Sequence, residues 1–280
     1  MTSPYRLALL TDPPTWCGMA LSGRSLDLLT ALAGSRDARM SDGALIEALW
    51  PDDRPAQPLR ALHVVVSRVR AVVGEGSVER SGDGYRLALP KTDVDVRDLS
   101  DRAERARACA VAGQWEQVLD LTDSLPQVPA CADADNTLGA GATPVARLRE
   151  WVARQAEEAR RDRGLALEAA GEHERAVALL REASQRDSGD ETVLAALMRA
   201  ESWVRSPAAA LEIYEQYRRR LRERGAVPGP AMRAAHETVL ATESPVRHGL
   251  EPEPEHFLGR ETDVTGVLKA LSTHRLVTLT

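Results

Sequence analysis

From residue 25 to residue 89, apolar positions recur in patterns that change with the element they imply. Residues 25–33 place Leu26, Leu28, Leu29 and Leu32 at helical spacing and close at Gly34. Residues 41–50, Ser41-Asp-Gly-Ala-Leu-Ile-Glu-Ala-Leu-Trp50, predict a second helix with Ser or Asp available as its cap. Pro51-Asp-Asp-Arg-Pro55 breaks it. Leu62, Val66, Val69 and Val73 then follow at steps of four, three and four, which is one apolar face of a third helix. After Gly74-Glu-Gly76, residues 78–80 and 85–89 predict two short strands joined by Ser81-Gly-Asp-Gly84. Upstream, residues 6–10 and 15–19 read as strands around Asp12-Pro-Pro14, with a third at 20–21. Trp16, Leu28, Leu32, Leu45, Leu49 and Trp50 are the expected core.

This order of elements reads as a winged helix-turn-helix, with one helix to enter a groove and a hairpin wing beside it. The third helix carries Arg60, Arg68 and Arg70, and no acid lies between residues 60 and 74. Guanidinium groups held on a helix can pair with O6 and N7 of guanine or clamp a phosphate. His63, Val64 and Ser67 lie off the apolar face, and small neighbours such as Ser67 and Ala71 allow close approach. Taken alone, this helix is equally an amphipathic core helix with solvated arginines; the attached hairpin favours DNA contact.

From Thr92 to about Ala241 the periodicity is helical throughout. Gly113-Gln-Trp-Glu-Gln-Val118 resembles Gly171-Glu-His-Glu-Arg-Ala176, and each sits between an Ala-rich helix and an aliphatic one. A degenerate third copy, Arg205-Ser-Pro-Ala-Ala-Ala210, starts 34 positions after Gly171, the tetratricopeptide period. The wider spacing before Gly171 implies an insertion, placed at residues 124–143 with their Pro and Gly. The run Arg218-Arg-Arg220 with Arg222 and Arg224 has Glu212, Glu215 and Glu223 nearby and reads as a solvated helix face.

Composition adjusts this picture in four ways. The net charge of −6 opposes nucleic-acid binding until it is divided, because residues 1–90 carry ten Arg and ten acids, and the surplus acid lies downstream. Phosphate binding depends on the local patch, so modest non-specific affinity and a small salt slope are expected. Three cysteines, Cys17, Cys109 and Cys131, form no pairing pattern and read as reduced thiols of a cytoplasmic protein. No apolar run suits a signal peptide or a membrane span. The six His residues show no metal or catalytic spacing, and no nucleophile turn occurs, so neither an enzyme nor a cofactor is expected.

Ala61-Leu-His-Val-Val-Val-Ser-Arg-Val-Arg70 and Gly84-Tyr-Arg-Leu87 resemble the OmpR-type winged helix of the Streptomyces antibiotic regulatory proteins. Leu197-Met-Arg-Ala200, Ala209-Ala-Leu-Glu-Ile-Tyr214 and Gly225-Ala-Val-Pro-Gly-Pro230 resemble the bacterial transcriptional activation domain that follows it in that family. Residues 231–240 supply its closing helix. Departures are Ser25-Leu-Asp27 where basic residues are usual, Val65 in place of an aromatic or His, and Leu121-Thr-Asp-Ser124 in place of Leu-Trp-Arg-Gly. The resemblance implies a mainly α protein with a winged helix at 1–91 and a tetratricopeptide-like all-α activation domain at 92–243. It implies Arg68 as the base-reading residue, Arg60 and Arg70 as phosphate contacts and Arg80 as the wing residue at the minor groove, with His63, Val64 and Ser67 completing the DNA face. The implied partners are double-stranded promoter DNA, bound as a dimer on repeated half-sites, and RNA polymerase holoenzyme, met through its sigma factor and the C-terminal domain of its alpha chain. The implied role is activation of secondary-metabolite biosynthesis.

Residues 244–256 read as a Pro- and Glu-rich linker. Phe257-Leu-Gly-Arg-Glu261 and Arg275-Leu-Val-Thr-Leu-Thr280 resemble the entry to a STAND-type (NB-ARC) nucleoside triphosphatase, and no phosphate-binding loop occurs in the chain. The expectation is the N-terminal part of a larger regulator. Two other readings stay open: a helical-repeat scaffold whose winged helix binds protein, and the output arm of a nucleotide-switched NTPase.

Overall fold

The computed structural model describes residues 3–126, 128, 143–243, 265, 266, 268 and 269. It opens with a three-stranded antiparallel sheet of β1 (Leu7–Ala8), β2 (Thr15–Trp16) and β3 (Met19–Ala20). The strand expected at 15–19 is thus two strands. Cys17 (φ 46°) and Gly18 (φ 82°) form a two-residue reversal between them, and positive φ at both central positions is what a tight hairpin needs.

Three helices follow: α1 (Gly23–Gly34), α2 (Asp42–Leu49) and α3 (Pro58–Val73). The Ser41 hydroxyl caps α2, accepting the Ala44 N–H at 3.3 Å. Pro58 starts α3, where its missing N–H costs nothing, and Gly74 (φ 90°) ends it. A second antiparallel sheet has the order β4-β6-β5, from β4 (Arg39–Ser41), β5 (Val78–Ser81) and β6 (Gly84–Leu87). The hairpin matches the sequence pattern within two residues. β4 does not figure in that pattern, because three residues are too few to display an alternation. Gly84 lets β4 approach, since a Cβ there would lie 1.9 Å from the Met40 carbonyl oxygen.

The remainder is helical: α4 (Asp95–Val111), α5 (Trp115–Thr122), α6 (Pro144–Ala169), α7 (His173–Arg186), α8 (Glu191–Val204), α9 (Pro207–Arg222) and α10 (Pro230–Glu243). The repeated Gly113 and Gly171 are the hairpin turns α4–α5 and α6–α7, at φ 71° and 79°. The third turn lacks a glycine; Ser206 instead caps α9 by accepting the Ala209 N–H at 3.2 Å. Of the insertion read at 124–143, residues 127 and 129–142 lie outside the described residues, as do the linker at 244–256 and most of 257–280. Residues 241–280 form a unit of their own. Among the described residues no helix is long and apolar enough to cross a membrane.

Three apolar clusters hold residues 1–240 together. The first runs from Leu7 and Trp16 through α1, α2 and α3 to Leu99 and Ala103 of α4, then to Leu148, Val152 and Ala156 of α6. The boundary expected at 91/92 therefore falls between elements that share one core. Trp50, expected inside, is only half-buried against this cluster, with Arg24 5.8 Å from its ring. The second cluster joins α6, α7 and α8, and the third joins α8, α9 and α10.

A buried carboxylate ties the first sheet to the helices. Asp95, 2% exposed at the start of α4, accepts the Leu9 N–H at 2.9 Å, the Leu10 N–H at 2.7 Å and its neighbour Val96 N–H at 2.7 Å. From α6, Arg149 donates through Nε to the Leu9 carbonyl at 2.8 Å and through a terminal nitrogen to the Thr11 carbonyl. Burial pushes the Asp95 carboxyl above the usual carboxylate range, against the pull of the three N–H groups and Arg149. Tyr5 adds a hydrogen bond from its hydroxyl to Asp98 at 2.9 Å.

Two stability outcomes follow from these contacts. Asp95→Asn puts an amide where two acceptor oxygens stood, so one backbone N–H faces a donor; urea unfolding should register a loss of about 2–3 kcal/mol. Gly84→Ala drives a methyl into the Met40 carbonyl and should cost about 3 kcal/mol, with the β4–β6 amides losing hydrogen-exchange protection first.

Candidate nucleic-acid interface

α3 has two unlike faces. Leu62, Val65, Val66, Val69 and Val73 are buried in the first core. Val65 joins the face that the four-three-four spacing outlined. Opposite it, Arg60, His63, Val64, Ser67 and Arg68 are exposed at intervals of three and four, the spacing of a continuous stripe. Val64 is 45% exposed, which suits an apolar contact such as a thymine methyl. Arg60 and Arg68 make no ion pair among the described residues.

The other arginines of this module are mostly engaged. Arg39 pairs with Asp83 at 3.1 Å, Arg86 with Glu79 at 2.6 Å and Arg6 with Asp93 at 3.6 Å. Arg80 holds both oxygens of Asp42 at 2.9 and 2.8 Å, and its guanidinium lies 4.9 Å from the Tyr85 ring. That bidentate bond to Asp42 holds the guanidinium charged more firmly than usual. Arg70 donates through Nε to the Val78 carbonyl at 2.8 Å and sits 5.8 Å from the same ring. So Arg80 fastens the β5–β6 hairpin to α2, and Arg70 fastens it to α3, with Tyr85 between them.

The seven residues singled out in the sequence thus divide. Five form the exposed stripe, and Arg70 and Arg80 orient the hairpin beside it. Arg54, in the loop that leads into α3, is a further exposed cation without an ion pair among the described residues. The sequence marked that loop only as a break, and the one available signal was its charge. Elsewhere Cys17 is exposed and Cys109 half-buried, both as free thiols, while Cys131 lies outside the described residues. Among the described residues no group of three His, Cys, Asp or Glu is arranged to hold a metal ion.

Comparison with known proteins places this geometry in context. Residues 94–240, more than half of the chain, match the family model described as bacterial transcriptional activator domain. Regulatory protein AfsR of Streptomyces griseus is 31% identical over 269 residues, which is 89% of this chain and 26% of that protein. Regulatory protein AfsR of Streptomyces coelicolor is 30% identical over 227 residues, 76% of this chain and 21% of that protein. The chain therefore spans about a quarter or less of the length of these relatives. Among solved structures, EmbR of Mycobacterium tuberculosis, in complex with a low-affinity phosphopeptide, has a similar fold. The TM-score is 0.62 at 20% identity, over 93% of this chain and 68% of that one. On these matches the chain belongs to the bacterial transcriptional activator domain family.

Proposed function

We propose that residues 1–91 are an OmpR-type winged helix that reads promoter DNA in sequence-specific fashion, with α3 in the major groove and the β5–β6 hairpin as the wing. The observation that carries this reading is the exposed stripe of Arg60, His63, Val64, Ser67 and Arg68 on a helix whose opposite face is locked in the core. A rigid helix with uncompensated guanidinium groups and no acids suits an anionic groove. Arg68 at mid-helix is the base reader, through the acceptor pair of guanine. Arg60, near the helix start, takes a phosphate. Arg70 keeps its terminal nitrogens for a phosphate while its Nε braces the hairpin. Arg80 reaches the minor groove only by exchanging Asp42 for a backbone phosphate, and otherwise serves to aim the wing.

Two copies bind repeated half-sites about one helical turn apart, on one face of the duplex. The tetratricopeptide-like helices behind them engage RNA polymerase holoenzyme, through its sigma factor and the C-terminal domain of its alpha chain. The outcome is transcriptional activation, and the resemblance of the winged-helix motifs to the Streptomyces antibiotic regulatory proteins makes secondary-metabolite genes the target of this reading.

Selection of random duplex DNA by the purified chain tests the reading. The parent should enrich a repeated motif, and Arg68→Ala should lose about 1–3 kcal/mol of discrimination at one base position. A uniform loss across sequences would reassign Arg68 to a phosphate. No enrichment at low salt would defeat DNA reading and leave the module as a protein-binding element of a helical scaffold.

A further inference from the structure

The helical array carries a second candidate site, independent of DNA reading. It forms a groove of about 1110 Å³ between α7 and α9, with α8 as the floor. Leu194 and Leu197 of the floor and Ile213 of α9 form an apolar strip, and Gln185 and Gln216 flank it. Four arginines line the groove (Arg181, Arg205, Arg219 and Arg220) against two acids, Glu201 and Glu212. Arg218 outside the lining pairs with Glu215 at 2.6 Å, as a solvated helix face would. Arg219 and Arg220 depart from that pattern, being exposed and without an ion pair among the described residues. Arg220 instead lies 5.7 Å from the Tyr217 ring, which holds its charge beside the groove.

Glu201 is the second observation. Its side chain is only 3% exposed on the groove floor. One carboxylate oxygen accepts from Arg181. The other, Oε2, has no hydrogen bond; Arg205 is 3.9 Å away, beyond bonding range. A buried carboxylate oxygen without a donor is costly, and such groups mark places where a partner is missing.

We propose that this groove docks an acidic peptide segment of another protein. The net positive lining takes the carboxylates, with Arg219 and Arg220 as the uncompensated charges. The strip of Leu194, Leu197 and Ile213 takes an apolar side chain. A peptide also brings backbone N–H groups, which can satisfy Glu201 Oε2 and the side-chain amides of Gln185 and Gln216. Nucleic acid fits the same groove poorly. Its phosphodiester backbone has no donor for Glu201, and the two glutamates repel it.

Fluorescence anisotropy on the full chain tests this, with a fluorescein-labelled peptide of alternating Glu and Leu as the probe and its Lys–Leu counterpart as the control. The acidic probe should bind saturably, and the basic one should not. The double reversal Arg219→Glu/Arg220→Glu should weaken binding by at least about tenfold. The same charge change at Arg105→Glu/Arg154→Glu, both exposed and outside the groove, should leave it within about twofold. Arg219→Ala/Arg220→Ala gives the milder variant should the reversal unfold, and its loss should be at least about threefold. Absence of acidic-probe binding, equal binding of the basic probe, or equal losses from the two reversals would overturn the proposal. So would a groove reversal that weakens duplex DNA while sparing the peptide, which would make these arginines a flank of the DNA face.

Discussion

The carboxylate of Asp95 fixes the N-terminal sheet against the helices that follow it. Its oxygens receive the N–H groups of Leu9 and Leu10, two donors of the segment leading out of β1. Without an acceptor, these buried donors would go unsatisfied. Burial disfavours the charge, and three short hydrogen bonds with Arg149 nearby counter only part of that cost. Because the acceptor is on α4 and Arg149 is on α6, the N-terminal sheet is tied at the same point to two helices that lead into the repeat array. The direction of α3 is inherited from that junction, through the core that Leu7, Leu62, Leu99 and Leu148 share.

The charge distribution of the N-terminal module follows a division of labour. Ten positive and ten negative residues make it neutral, yet the neutrality is local. Asp42, Glu79 and Asp83 compensate Arg80, Arg86 and Arg39 on and beside the hairpin, while the outer face of α3 has no acid at all. The acids brace the framework, and the field projects from the helix.

How much of this was legible in the sequence differs by element. α3 was plain, because its buried face repeats at helical spacing from Leu62 to Val73, about three turns. The two helical hairpins were legible from Gly113 and Gly171, whose positive φ no other residue adopts as cheaply. β4 was invisible, since its existence depends on the partner strand β6 and on the space left by Gly84. Arg70 and Arg80 counted as free charges in one dimension, and only the fold reveals Val78 and Asp42 beside them. Asp95 stands where an acid favours a helix start, but its partners Leu9 and Leu10 lie 86 and 85 positions away. Glu201 left no motif, and Arg219 and Arg220 stood out only within a charged run that reads as a solvated face, because the groove requires three helices.

The 26 residues of α6 are continuous from Pro144 to Ala169, about 39 Å of unbroken helix. Its first half packs in the core of the N-terminal module and its second half among α7 and α8. It acts as a common axle. One residue inserted at its middle would turn the groove-bearing helices by about 100° about the α6 axis relative to α3. Evolution can therefore retune either end by substitution, but a change in the length of this helix alters what both ends face at once.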